Sequence, residues 1–429
     1  MSWTLEIEHP LGESVIRRWR APSGLGLIAL RDPAAPIVSY QTWYRVGSRH
    51  EQPGMTGMAH LFEHLMFGRT RTLAAGQLDL LIEACGGETN AATWVDWTFY
   101  RISVPADSLE LAVRIEADRM HQLVLGAEEL ETERGVVMNE RRERVDDDVD
   151  GFLAEELFRA AFTTHPYRWP TIGWMEDLEK LALPEVQRFY QTFYAPNNAT
   201  LVVVGDVDEA HLLDLVAAHY GALAPATLPA ETAVTEPPAA GERRLQFTRP
   251  VQADRLLIGW RSPGHGDADW PALDIIDKLL TGGPSSRLYR RLVIDEEVAI
   301  SVDGGPLPFR DPALYELSIH LTREADADQV LAMVDDEVAR LQAEPVPEVE
   351  LAKVRSGVET DFWSALTTID GRAEALGHYE TTLGDFRRLF DMAGRLAAVD
   401  AGAVAAAARR WLQPSARTIV VATAPEDGA

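Results

Sequence analysis

The feature that most limits what this chain can fold into is that it closes twice in the same way. Phe193-Tyr194-Ala195-Pro196-Asn197-Asn198-Ala199-Thr200-Leu201-Val202-Val203-Val204 runs from a helix end through a turn into an apolar strand. Near the C-terminus, Trp411-Leu412-Gln413-Pro414-Ser415-Ala416-Arg417-Thr418-Ile419-Val420-Val421-Ala422 repeats that order, so that position 199 matches position 417. A repeat at about half length means two copies of one supersecondary plan, and 429 residues exceed what a single core comfortably serves. Between the copies lies an Ala-, Pro- and Thr-rich run without apolar periodicity, the composition of an exposed tether. The expected division is a first domain at 1–222, a linker at 223–243 and a second domain at 244–429.

Each half alternates strands with amphipathic helices. Residues 37–46 have the β-branched and aromatic density of a strand. A turn at 54–57 leads to a helix over 58–67, which Gly68 stops. A second helix through Ile82, two strands within 88–104 and a helix over 108–121 follow.

Composition excludes several function classes. A formal charge of −27 repels the phosphates of nucleic acid and favours basic or neutral peptides. No run reaches the roughly 18–20 apolar residues of a membrane span. The one cysteine, Cys85, forms no internal disulfide and reads as a packing residue at a helix end. The first ten residues lack the basic start and apolar middle of a signal peptide. The expected compartment is the cytoplasm, or the periplasm if a leader preceded this sequence.

His60-Leu61-Phe62-Glu63-His64 carries the chemistry. On a helix, positions i, i+3 and i+4 share a face, so His60 and His64 can ligate one zinc ion while Glu63 faces its open position. A catalytic zinc needs a third protein ligand. Glu133 and Glu140, two helical turns apart on a later predicted helix, both offer a carboxylate on one face. Glu63 itself is expected to act as general base, taking a proton from water for attack on a peptide carbonyl.

The second half keeps the helix without the ligands. Aligning 57–66 with 271–280 puts Asp274, Asp277 and Lys278 at the three motif positions. Lys278 is a cation where a metal needs a lone pair. One zinc per chain is expected.

The order H-x-x-E-H, with Glu63-His64-Leu65-Met66-Phe67, Gly86-Gly87-Glu88-Thr89-Asn90-Ala91-Ala92-Thr93, Asp96, Tyr100 and Pro196-Asn197-Asn198-Ala199-Thr200, resembles the pitrilysin, insulin-degrading enzyme and mitochondrial processing peptidase family of inverted-motif zinc peptidases. The resemblance covers nearly the whole chain. It implies an α+β fold of two homologous domains, each a mainly antiparallel sheet flanked by helices, closing like a clamshell on a peptide. It selects Glu140 as third ligand, because the interval from His64 matches the family's, and makes Glu133 a steering group that does not bind metal. It places Asn90 and Ala91 on an exposed edge strand to which substrate backbone adds. His165-Pro166-Tyr167 also matches and reads as a turn and packing element.

One departure from the family pattern bears on function. Relatives carry an Arg and a Tyr after a Ser-Arg-Leu run in the second domain, holding substrate and stabilising charge on its carbonyl. Here Ser286-Arg287-Leu288 is kept, but Val293 and Ile300 occupy those two positions, and neither side chain donates a hydrogen bond. The implied function is a zinc endopeptidase acting as the catalytic half of a heterodimer whose homologous, motif-less partner supplies Arg and Tyr. The alternatives are a self-sufficient or homodimeric peptidase, with Arg310 or Tyr315 as substitute donor, and a non-catalytic assembly subunit.

Overall fold

The computed structural model describes residues 2–425. Among them are two sheets. The first contains β1 (Thr4–Leu11), β2 (Ser14–Arg20), β3 (Gly26–Arg31), β4 (Ile37–Tyr44), β5 (Glu88–Thr93), β6 (Thr98–Pro105) and β7 (Ala199–Gly205) in the order β1-β2-β3-β7-β4-β6-β5. The second contains β8 (Arg243–Thr248), β9 (Arg255–Arg261), β10 (Ala299–Pro306), β11 (Leu314–Leu321) and β12 (Arg417–Thr423) in the order β10-β11-β9-β12-β8. Dropping β1 and β2 leaves the same plan twice. In each sheet one pair is parallel, β3 with β7 and β8 with β12, and the rest are antiparallel. The mainly antiparallel α+β fold and its duplication are as the sequence predicts.

The helices that matter here are α1 (Met58–Leu65), α2 (Gln77–Ala84), α3 (Leu109–Gln122), α4 (Ala127–Arg141), α5 (Val149–Ala161), α6 (Leu183–Phe193), α7 (Trp270–Leu280), α8 (Glu348–Ala365) and α9 (Ile369–Leu383). Leu61, Phe62 and Leu65 of α1 join Tyr40, Tyr100 and Ile102 of the first sheet in one buried core, closed by Ala112, Val113 and Ile115 of α3. β7 is buried along its whole length, as expected of an unbroken Val run at the centre of a sheet. No helix among the described residues is long and apolar enough to cross a membrane.

The chain forms two compact units, but they are not the contiguous halves expected. The first unit comprises residues 1–140, 170–233 and 365–389; the second comprises 141–169, 234–364 and 390–429. Each half therefore lends the other unit a helix. α9, from the second half, lies on β4 and β7. Arg18 Nη1 holds the buried Glu380 at 2.8 Å, and Ser103 Oγ donates to Asp370 at 2.6 Å. A Cβ at Gly377 would come within 2.2 Å of Trp43 Nε1, so the helix seats this closely only with glycine there. α5, from the first half, lies on β9 and β12, where Arg243 and Arg261 donate to the carbonyls of Ala160 and Ala161. The expected linker carries no regular structure before Arg243, where β8 begins, yet it is held at two places: Asn197 exchanges two 2.9 Å bonds with Ala226, and Glu236 accepts from Thr163, Thr164 and His165.

Candidate metal centre

α1 presents His60, Glu63 and His64 on one side while its other faces enter the core. α4 crosses the first unit with both acidic candidates turned to the histidines. Glu140 Oε2 lies 3.2 Å from His64 Nε2 and 3.7 Å from His60 Nε2. Ligand atoms of His60, His64 and Glu140 all fall within 4.8 Å of one another, the one such group of three among the described residues. Metal–ligand bonds of about 2.0–2.2 Å in a tetrahedron put neighbouring ligand atoms about 3.4 Å apart. The two measured distances bracket that edge. Only the shorter of the two is within hydrogen-bond reach, and the three groups together could hold one divalent ion. By donor chemistry, two imidazoles and one carboxylate suit zinc.

Glu133 stands behind this group. Its Oε2 is 3.8 Å from His64 Nδ1, the nitrogen turned away from Glu140. At that separation the two are close but not hydrogen-bonded.

Glu63 is half-buried on the same helix face. Below it, Tyr100 donates to the Phe62 carbonyl at 3.3 Å and approaches the Tyr194 hydroxyl at 3.5 Å. Burial raises both phenols above their ordinary range, and the nearby Glu63 charge adds to the rise. Both hydroxyls therefore stay protonated beneath the helix, Tyr100 donating and Tyr194 accepting.

β5 pairs with β6 and is one of the two edges of the first sheet, β1 being the other. Asn90 is exposed, Ala91 packs against the core, and the Ala91 N–H donates to Asn90 Oδ1 at 2.8 Å. In the second sheet, β10 occupies the matching edge, with Ile300 65% exposed on it. Val293 lies partly buried in the short helical stretch Tyr289–Asp295. Tyr315, a candidate substitute donor, is fully buried and donates to Asp277 at 3.4 Å, so it cannot reach a substrate.

One contributor escaped the sequence reading. Glu51 is 4% exposed and bonds the first turn of α1, and nothing in a single sequence distinguishes it from any loop glutamate.

A duplicated sheet-and-helix scaffold with an inverted histidine motif on one copy defines the class of zinc-protease folds, and the comparisons agree. Residues 27–173 match the family described as Insulinase (Peptidase family M16), and residues 180–358 match the Peptidase M16 inactive domain. The zinc protease PqqE of Helicobacter pylori is 30% identical over 368 residues, covering 82% of each chain. The mitochondrial-processing peptidase subunit beta of Blastocladiella emersonii is 24% identical over 391 residues, 86% of this chain and 80% of that one. The crystal structure of a protease from Helicobacter pylori matches with a TM-score of 0.91 at 27% identity, over 95% of this chain and 99% of that chain. This chain belongs to the M16 peptidase family, and relatives there include proteins named zinc proteases.

Proposed function

We propose that this chain is a zinc-dependent endopeptidase that binds one ion through His60, His64 and Glu140. The observation that carries the reading is the convergence of three donor atoms from two helices within 4.8 Å of one another, with Glu140 3.2 and 3.7 Å from the two imidazoles. Zinc held there would supply Lewis acidity toward the attacking water and the scissile carbonyl. Glu63 takes the proton of the attacking water and returns it to the leaving amine. Glu133 keeps the His64 ring in its ligating orientation. The free edge of β5, at Asn90 and Ala91, accepts the substrate backbone as an added strand, a mode that reads shape more than side chains.

We further propose that the chain works as the zinc-bearing partner of a heterodimer. The apolar Val293 and Ile300 support this, since neither stabilises charge on a carbonyl, as does a relative named as a subunit. The second reading is a non-catalytic assembly subunit, favoured by the inactive-domain match over 180–358.

Metal analysis and peptidase assay separate these readings. The enzyme holds about one zinc per chain after dialysis and loses activity to a chelator, and Glu63→Gln keeps the metal while lowering kcat about 10²–10⁴-fold. A zinc-free chain without chelator-sensitive activity would be the assembly subunit. Full activity of the purified chain alone, unchanged by a motif-less homologue, would remove the heterodimer.

A further inference from the structure

We propose that Glu51 is a positioning residue for the metal centre: from outside α1, its buried carboxylate fixes the helix's first turn and so the direction in which His60 and His64 point. This inference rests on the reading of α1 as the metal helix.

A helix start is normally held by the side chain of its N-cap residue, which accepts from the second or third N–H. At α1 the N-cap is Gly57, with φ of +86° and no side chain to accept. No larger residue fits there, because a Cβ would meet the Ile172 carbonyl at 2.6 Å. Glu51 fills the role from six positions upstream. One carboxylate oxygen accepts from the Gly57 N–H at 2.9 Å and the other from the Ala59 N–H at 2.8 Å. Ala59 directly precedes His60.

The form of this cap points beyond ordinary capping. Burying a carboxylate is costly, and a short neutral side chain caps most helices adequately. Burial pushes the Glu51 acid well above its usual range, opposed by the backbone donors of Ala59 and Gly57. What the planar carboxylate adds is a fork. Two bonds from one rigid group set the roll of the turn as well as its distance.

Roll is what the metal site needs. α1 has only eight residues, and Glu140 comes from another helix. A roll of about 10° moves an imidazole nitrogen roughly 7 Å from the helix axis by about 1 Å, more than a metal site tolerates. Asp177 clamps the preceding residue, accepting from the Thr56 N–H at 3.2 Å and its hydroxyl at 2.7 Å. Glu51 holds the helix itself.

Cobalt(II) tests this in the full chain, because its visible bands report ligand geometry. Glu51→Asp keeps the carboxyl group but is one methylene too short for both bonds, and Glu51→Gln keeps the length but loses one acceptor. Both should bind cobalt about 10–100-fold more weakly, the range of other supporting groups behind metal ligands. Both should also show altered bands per bound ion, while the far-UV circular dichroism of the metal-free chain is unchanged. If Glu51→Asp binds with wild-type affinity and wild-type bands, or lowers only the melting temperature, the inference is overturned; that variant decides alone should Glu51→Gln not fold. A wild-type chain without tetrahedral cobalt bands sinks the metal-centre reading instead.

Discussion

α1 of the first unit and α7 of the second are the same helix twice, and they differ in what fills the space between helix and acid. Each follows a central strand of its sheet and buries an apolar face. Each also has a buried tyrosine beneath its acidic position: Tyr100 bonds the Phe62 carbonyl, and Tyr315 bonds Asp277. In the first unit, His64 faces Glu140 of α4 across 3.2 Å. In the second, Lys278 faces Asp361 of α8 across 2.9 Å. The fixed ammonium of Lys278 stands where the first unit offers lone pairs to an ion. In both copies a nitrogen of this helix faces an acid of a later helix, but only the imidazole offers a lone pair to a metal.

The largest test of this comparison is His64→Ala. Zinc content should fall from about one per chain toward zero, and hydrolysis with it, because two protein ligands are too few for a catalytic site; retained stoichiometric zinc would break the assignment. Next comes Glu133→Gln, expected to weaken zinc about 10–100-fold in a chelator competition while leaving the ligands in place.

Asp274, at the position matching His60, sharpens the contrast through pH. Burial first of all, with the neighbouring Asp277 charge, pushes its acid up to about 8. Between the ordinary carboxylate range and that value, the folded chain holds a proton that the unfolded chain has released. Its stabilising contribution is therefore full below about pH 4 and is lost as pH rises toward 8. Asp274→Asn should match wild type in urea unfolding at pH 4 and exceed it at pH 9 by on the order of several kcal/mol. Equal midpoints at pH 9 would show that the acid is not held neutral. Lys278→Ala should give the smallest effect, about 0.5 kcal/mol or less, since both partners of its ion pair are well exposed. Zinc content should not change; a gain or loss of metal there would undo the parallel.

Much of the site was legible in the sequence because it is written in local periodicity. His60, Glu63 and His64 share a face for any α-helix, and Glu133 and Glu140 share one for the same reason. The edge position of β5 needed the whole sheet order, which the family resemblance supplied. Glu51 was not legible, since its partners are backbone N–H groups that carry no sequence signal. Tyr315 was misjudged as a possible donor because strand alternation says which face a residue takes, not which face is covered.

The sequence by itself determined the duplicated α+β plan, the helix that carries the imidazoles and the loss of those groups from its second copy. These follow from residue type and spacing over a few turns. Only the tertiary structure decided that α5 and α9 are exchanged between units and that Glu140 and Glu51 converge on α1 from other elements. An amphipathic helix advertises an apolar face but not which of two similar sheets will cover it, and contacts between segments far apart in the chain are settled by packing in three dimensions.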